Sequence, residues 1–426
     1  MKSFIFFILL LAVIIEVIYS PQLGVARGIN IKNIGIYAVA IVVMATEVAT
    51  KNINKKRIPG LRMLSFLFIY LCISIGINVM LNRSDITLFE QVKLLKNRFV
   101  EPVILYVLTI LLIDDIKSAK SFLKIVVLVF TAINILSLVE ITTHIPIFFT
   151  EEKLSQSMHP GVYAGRFVSG FGNPNQMAYL LCSLLPFMYF YYKYDQNKLV
   201  RMIFMTSIFF SCASILMAGS RGGLLTLLVV IVSVALVFKD YKPAMVILSF
   251  SFIFVALSLL FNNELLQSAF NRVALSFGEK ADISSGRISI WSTLFAVFSD
   301  SFTHIFFGTG FETISGILYK KTHTYLPAHD LHLQVLVELG LLGLTLWLLM
   351  LRSVCRFLQG FNRSLFRSLT LIFFSVLLMG SMFSELIMIT KYIAMVAGVA
   401  FSYLNHSIKL DDQGTASLSG WLKSSL

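Results

Sequence analysis

Ser284-Ser285-Gly286-Arg287-Ile288-Ser289-Ile290-Trp291, then Gly308-Thr309-Gly310, then His329-Asp330-Leu331-His332 mark the long polar interval of this chain, from about Phe261 to His332. Apolar runs flank it, at about 243–261 and 333–351. A polar interval trapped between hydrophobic helices is where a membrane protein keeps its chemistry, because ionisable groups are costly within the hydrocarbon. Its flanks say what holds it.

Of 426 residues, 57% are hydrophobic and only 13% charged, and the mean hydropathy is +0.83. A soluble domain carries about 25% charged residues. Here the apolar surplus falls in runs of roughly 18–22 residues, the length of membrane-spanning helices. A β-barrel would show short alternating segments. The net charge of +13 would suggest nucleic acid in a soluble protein. These basic residues sit mostly in short loops, so they read as topology and contact with membrane lipids, with no nucleic acid partner. Cys72, Cys182, Cys212 and Cys355 lie in or beside apolar runs without metal-ligand spacing, and read as small membrane-core residues. No small-x-small cleavage site precedes Ser20-Pro21, so the first run reads as a retained helix.

Spans are expected at about 3–20, 33–49, 62–81, 101–113, 121–142, 176–192, 202–219, 222–238, 243–261, 333–351, 366–384 and 389–405. The run Lys51-Asn52-Ile53-Asn54-Lys55-Lys56-Arg57 is the most concentrated basic loop and belongs in the cytoplasm by the positive-inside rule. Both termini are then cytoplasmic. The expectation is an all-α polytopic membrane protein with about 12 transmembrane helices. Residues 1–405 form a single transmembrane domain and 406–426 a polar cytoplasmic tail. A long external loop, 262–332, joins helices 9 and 10 and carries amphipathic helices. The segment 83–100 repeats Leu88, Phe89, Val92, Leu95 and Phe99 at helical spacing, as an amphipathic helix in the external interface would.

Arg221 follows Ser220, a good N-cap, and precedes Gly222-Gly223. A cation in a first helical turn opposes the helix dipole. It becomes sensible where an anion binds, because helix N–H groups and a guanidinium hold phosphate together. The glycines permit close approach. Arg287 repeats the arrangement, with Ser284 and Ser285 as capping candidates and Ile288, Trp291, Leu294, Phe295 and Phe298 as one apolar face. Each arginine alone could equally be an interfacial side chain reaching headgroups. Trp291 reads first as an interfacial anchor. His329 follows Pro327-Ala328 where a helix should begin, and a neutral imidazole there can act as general base. His323, His329 and His332 match no established metal spacing. Gly308-Thr309-Gly310 reads as a turn.

The pattern resembles the O-antigen ligase/O-antigen polymerase family of polytopic membrane glycan transferases. The resemblance covers about residues 165–350. It rests on Gly170-Phe171-Gly172-Asn173-Pro174-Asn175, Ser220-Arg221-Gly222-Gly223, Gly286-Arg287 with Trp291, and the run from His329 through Leu331, Leu333, Glu338 and Gly340 to Gly343. Asp330 departs from the Asn or Ser usual after the histidine. The resemblance implies a periplasmic site in loop 262–332 at the cell inner membrane. It implies inverting glycan transfer without metal or other cofactor. The donor would be a glycan on undecaprenyl pyrophosphate. The acceptor would be a hydroxyl of lipid A-core for a ligase, or the sugar of another lipid-linked repeat for a polymerase. Arg221 and Arg287 match the family's essential arginines and His329 its histidine. Arg166, Asn173, Asn175, Trp291 and Asp330 are the substrate-binding candidates.

A different class, a twelve-helix transporter or flippase, would rest on Glu16, Glu47, Glu140 and Lys391, ionisable groups in or near spans. It would require function to depend on those charges rather than on the external loop.

Overall fold

The computed structural model describes residues 2–18, 24–26, 29–49, 58–81, 86–143, 173–242, 245, 248–249, 252, 256, 286–323, 328–361, 364–382 and 391–412. Arg166, Gly170 to Gly172, the basic run 51–57, Ser284, Ser285, Pro327, most of the ninth expected span and the tail beyond 412 lie outside them.

The described chain is helical apart from a short antiparallel pair, β1 (Gly24–Ala26) with β2 (Ile29–Asn30). The helices are α1 (Lys2–Ile18), α2 (Ile31–Ala49), α3 (Leu61–Met80), α4 (Leu88–Leu95), α5 (Glu101–Leu112), α6 (Ile116–Thr143), α7 (Pro174–Tyr194) and α8 (Lys198–Met217). They continue as α9 (Arg221–Phe238), α10 (Arg287–Ser299), α11 (Phe302–Phe307), α12 (Ile314–Thr322), α13 (Leu331–Gln359), α14 (Leu365–Ser381) and α15 (Lys391–Asp412). By length and composition, α3, α6, α8, α9 and α13 are long and apolar enough to cross a membrane. Phe66, Ile69 and Ile73 on α3 and Leu225, Leu228 and Val232 on α9 point outward. Rows of large apolar side chains on a helix exterior are the lipid face of a membrane protein.

α7 is the axis of the bundle, with α8, α9 and α14 around it. Asn173 caps it, its Oδ1 accepting from Asn175 N at 2.9 Å, and Pro174 fills the first position. Met177 through Tyr191 is buried without a break. A helix apolar on every side belongs in the middle. On the other flank α5 packs on α15, where Gly398 sits directly against Thr109. There the fully buried Glu101 pairs with Lys391 and accepts a hydrogen bond from Tyr37 Oη at 3.1 Å. Lys391 is thereby part of a helix-to-helix clamp, the arrangement that makes a buried charge tolerable.

Two expectations need correction. The segment expected to lie along the interface is α4, capped by Thr87; it runs through a π-helical turn (Lys96–Val100) straight into α5. Leu95 and Phe99 are buried in the bundle, while Leu88, Phe89 and Val92 stay exposed. On α10 the buried face is Ile290, Leu294 and Phe298; Ile288 and Phe295 face outward. This helix is apolar on two sides, so periodicity alone does not say which side meets protein. Cys182 and Cys212 are buried, and Cys72 and Cys355 face outward from α3 and α13.

The tenth expected span is α13, and it is broken. Gly340 has φ 67° and ψ −170° in its middle, splitting it into Leu331–Leu339 and a following limb that ends at Gln359. The two limbs fold against each other. Trp347 Nε1 donates to His332 Nδ1 at 3.1 Å across 15 residues, which a straight helix would hold about 22 Å apart. Tryptophan can only donate, so His332 Nδ1 accepts and Nε2 carries the ring proton. That proton points to Ser381 Oγ, 2.9 Å away, which itself donates to Leu378 O at 2.7 Å. His332 is thus held as one neutral tautomer between α13 and α14.

Candidate active site

The broken helix contributes to three apolar clusters. The smallest consists of Ile290, Leu294 and Phe298 from α10, Ile314 and Leu318 from α12, Ala328, and Val337 from α13. It ties the helix beginning at Arg287 to the segment leading into His329. Trp291 completes the link, its Nε1–H donating to Ala328 O at 2.9 Å. The indole therefore fixes the backbone immediately before the histidine.

His329 lies just before α13 rather than in its first turn. The N-cap is Asp330, whose Oδ1 accepts from Leu333 N at 2.8 Å. Aspartate caps as well as asparagine or serine, so the departure from the family pattern keeps this local bond. His329 itself has φ 55°, a left-handed conformation uncommon outside glycine but tolerated by histidine better than by most residues.

Arg287 opens α10. The expected serine cap is replaced by Gly286, at φ 78°, with no side-chain cap bond. A left-handed turn at this point is steric work for glycine, which explains why capping chemistry did not indicate it. Arg221 opens α9 as expected, with Ser220 Oγ accepting from Gly223 N at 3.1 Å. Gly223 has a second task. A Cβ there would stand 2.6 Å from Ala178 Cβ, so its absence lets α9 lie directly on α7. Gly223→Val is expected to push α9 off α7, displace Arg221, and lower turnover by roughly 100-fold, the scale of an ångström misplacement. A wild-type turnover for this variant would show that the contact does not set the site.

These elements bring the arginines and the histidine together from separate parts of the chain. Arg287 is half-buried and interacts electrostatically with Arg221, with His329 and with the buried Tyr179 of α7. Burial pulls its pKa below the ordinary arginine value; Tyr179 opposes that and Arg221 adds to it. A guanidinium nevertheless stays charged. Arg221 is exposed and Arg287 half-buried; two neighbouring cations are unfavourable to each other, and an anion between them relieves the repulsion. The His329 pKa is lowered from 6.5, first by burial and then by Arg287. An imidazole so placed is neutral at physiological pH and has a lone pair for a proton.

Tyr179 was not singled out from the sequence. Its signal is only its place, one turn beyond the capped start of α7. Asn173 is engaged as the cap of that helix, and Asn175 is half-buried in its first turn. Among the described residues no group of three His, Cys, Asp or Glu side chains could hold a metal ion. Both ring nitrogens of His332 are already occupied.

Residues 206–348 match the family model described as O-antigen ligase. Arg221, Arg287, Trp291, His329 and Asp330 fall inside that match; Asn173, Asn175 and Tyr179 precede it. A search of curated proteins gave no match.

Proposed function

We propose a function from one premise: this chain belongs to the O-antigen ligase/polymerase family, through the domain it carries at residues 206–348. It moves a glycan from undecaprenyl pyrophosphate to an acceptor hydroxyl on the periplasmic face of the inner membrane. Arg221 and Arg287 bind the pyrophosphate and neutralise the charge that grows on it as the glycosidic bond breaks. A guanidinium fork suits that task better than an ammonium point charge. His329 takes the proton of the acceptor hydroxyl, which attacks the anomeric carbon from the face opposite the leaving group. The product is inverted, and the pyrophosphate leaves with its charge held by arginine rather than by a metal. Trp291 and Asp330 hold the backbone on either side of the histidine. Arg166, Asn173 and Asn175 are further candidates for the donor glycan.

The observation that carries this reading is the electrostatic coupling of Arg287 to both Arg221 and His329. The ligase reading takes lipid A-core as acceptor; a polymerase would use the same three residues with a second lipid-linked repeat. The test is transfer from the purified lipid-linked glycan to lipid A-core by the full chain in lipid nanodiscs, with and without chelator. Inverted product with chelator present is expected. Loss of transfer on chelation, restored by a divalent ion, would refute the metal-free mechanism. Elongation of lipid-linked repeats without transfer to core would select the polymerase.

A further inference from the structure

An unbroken α13 would bond the carbonyls of Val337, Glu338 and Leu339 to the amides of residues 341, 342 and 343. The break at Gly340 takes those donors away. Each carbonyl has a replacement from elsewhere in the chain. Thr309 N donates to Val337 O at 2.8 Å and Gly310 N to Glu338 O at 2.9 Å. The Tyr70 hydroxyl donates to Leu339 O at 2.9 Å and lies 3.0 Å from Phe307 O. Backbone outside a regular helix is tolerated at membrane depth only where its polar groups are satisfied within the protein. Glycine makes the approach possible on both sides. A Cβ on Gly340 would meet Phe306 O at 2.4 Å, and one on Gly308 would meet Glu338 O at 2.2 Å. The segment that read as a simple turn, Gly308-Thr309-Gly310, is a backbone splint for the broken helix. Its far end is pinned to α3 as well, with Phe311 N donating to Ser74 Oγ at 3.0 Å and Asn78 Nδ2 to Phe311 O at 3.2 Å.

The splint matters to the site because the site rides on two bodies. Arg221 is fixed to α7 through α9. His329 and Arg287 are fixed to the small cluster of α10, α12 and the first limb of α13. That cluster and the one built on α3 share the first limb of α13, through Val337 and Leu339 respectively. We propose that Tyr70 is a positioning residue for transfer: its hydroxyl clips the end of α11 and the broken α13 to α3, and so holds His329 and Arg287 against Arg221. The inference rests on the glycan-transfer reading of those three residues. Tyr70 is buried on α3, so its role is exerted through the backbone it binds rather than through contact with substrate.

The consequence for His329 is specific. Arg287 from α10 acts on it, Arg221 of α9 and Tyr179 of α7 act on that arginine, and Asp330 adjoins it in the chain. Loosening the cluster admits water to the imidazole and lets its pKa rise toward the ordinary 6.5.

The experiment compares Tyr70→Phe with Tyr106→Phe in nanodiscs, measuring kcat and donor KM across pH per folded protein. Tyr106 is a control at a different place, its buried hydroxyl donating to Pro59 O at 2.9 Å. Tyr70→Phe is expected to lower kcat roughly 10- to 100-fold with little change in KM. The acid limb of its profile should move to higher pH, while the Tyr106→Phe profile keeps the wild-type midpoint. Ser74→Ala, a milder lesion of the same docking, should shift the limb in the same direction and serves if Tyr70→Phe does not fold. A wild-type kcat and midpoint for Tyr70→Phe, or for Ser74→Ala where only that variant folds, would overturn the inference. So would an equal shift in Tyr106→Phe. Arg221→Ala and His329→Ala are run alongside. If both keep wild-type transfer, the reading of the site fails; if both are inactive and Tyr70→Phe is normal, only the role of Tyr70 fails.

Discussion

Arg287→Ala is expected to lower the rate of glycan transfer at saturating substrate by roughly 100- to 1,000-fold, the usual loss when one preorganised group facing developing charge is removed. The expectation follows from its place. Arg287 interacts with both other members of the proposed triad, Arg221 and His329. It is half-buried, so its charge acts through less water than a surface arginine's would. Arg287→Lys should recover little, because an ammonium cannot offer two parallel donors to a phosphate. The loss should appear in kcat more than in donor KM, since the leaving pyrophosphate carries more charge in the transition state than in the bound donor. Combining Arg287→Ala with Arg221→Ala should cost less than the sum of the single losses, because both act on one anion. Steady-state transfer assays on the purified variants decide it. A turnover within threefold of wild type for Arg287→Ala would remove this residue from the mechanism.

His329→Ala should cost roughly 100- to 10,000-fold, the range for a general base. The base works only when neutral. Its pKa lies below 6.5 because burial and Arg287 both disfavour the imidazolium. The rate should therefore be level through neutral pH and fall as pH drops through that lowered value. Arg287→Gln removes a neighbouring cation, so the midpoint of its residual activity should move upward toward 6.5. In His329→Ala this limb should vanish. A rate that rises on acidification between pH 7 and 5 would mean the histidine acts as its conjugate acid, contrary to the proposed role.

Much of the helical organisation was legible because a bilayer leaves so few solutions. An apolar run must close its backbone hydrogen bonds on itself, so each run becomes a helix near where the run lies. The cap Ser220 was legible for a local reason: it bonds an amide three residues onward. The break at Gly340 was not. Glycine inside an apolar run is ordinary in a membrane helix, and the donors that make a break affordable come from Thr309, Gly310 and Tyr70. Neither the buried side of α10 nor the Glu101–Lys391 pair has a local signature, because both depend on which helices become neighbours.

By itself the sequence determined that this is a helical membrane protein, and that Arg221 and Arg287 stand at helix starts with His329 leading into another. Those properties are written in hydropathy and in short-range capping, which act over a few residues. Only the tertiary structure decided that Arg287 comes within electrostatic reach of both Arg221 and His329 and that His332 is tied up between Trp347 and Ser381. It also decided that the turn at Gly308-Thr309-Gly310 supports the helix leading from the histidine. The reason is the same in each case. These contacts join residues tens to hundreds of positions apart, and their geometry exists only once α3, α7, α9 and the two limbs of α13 have packed.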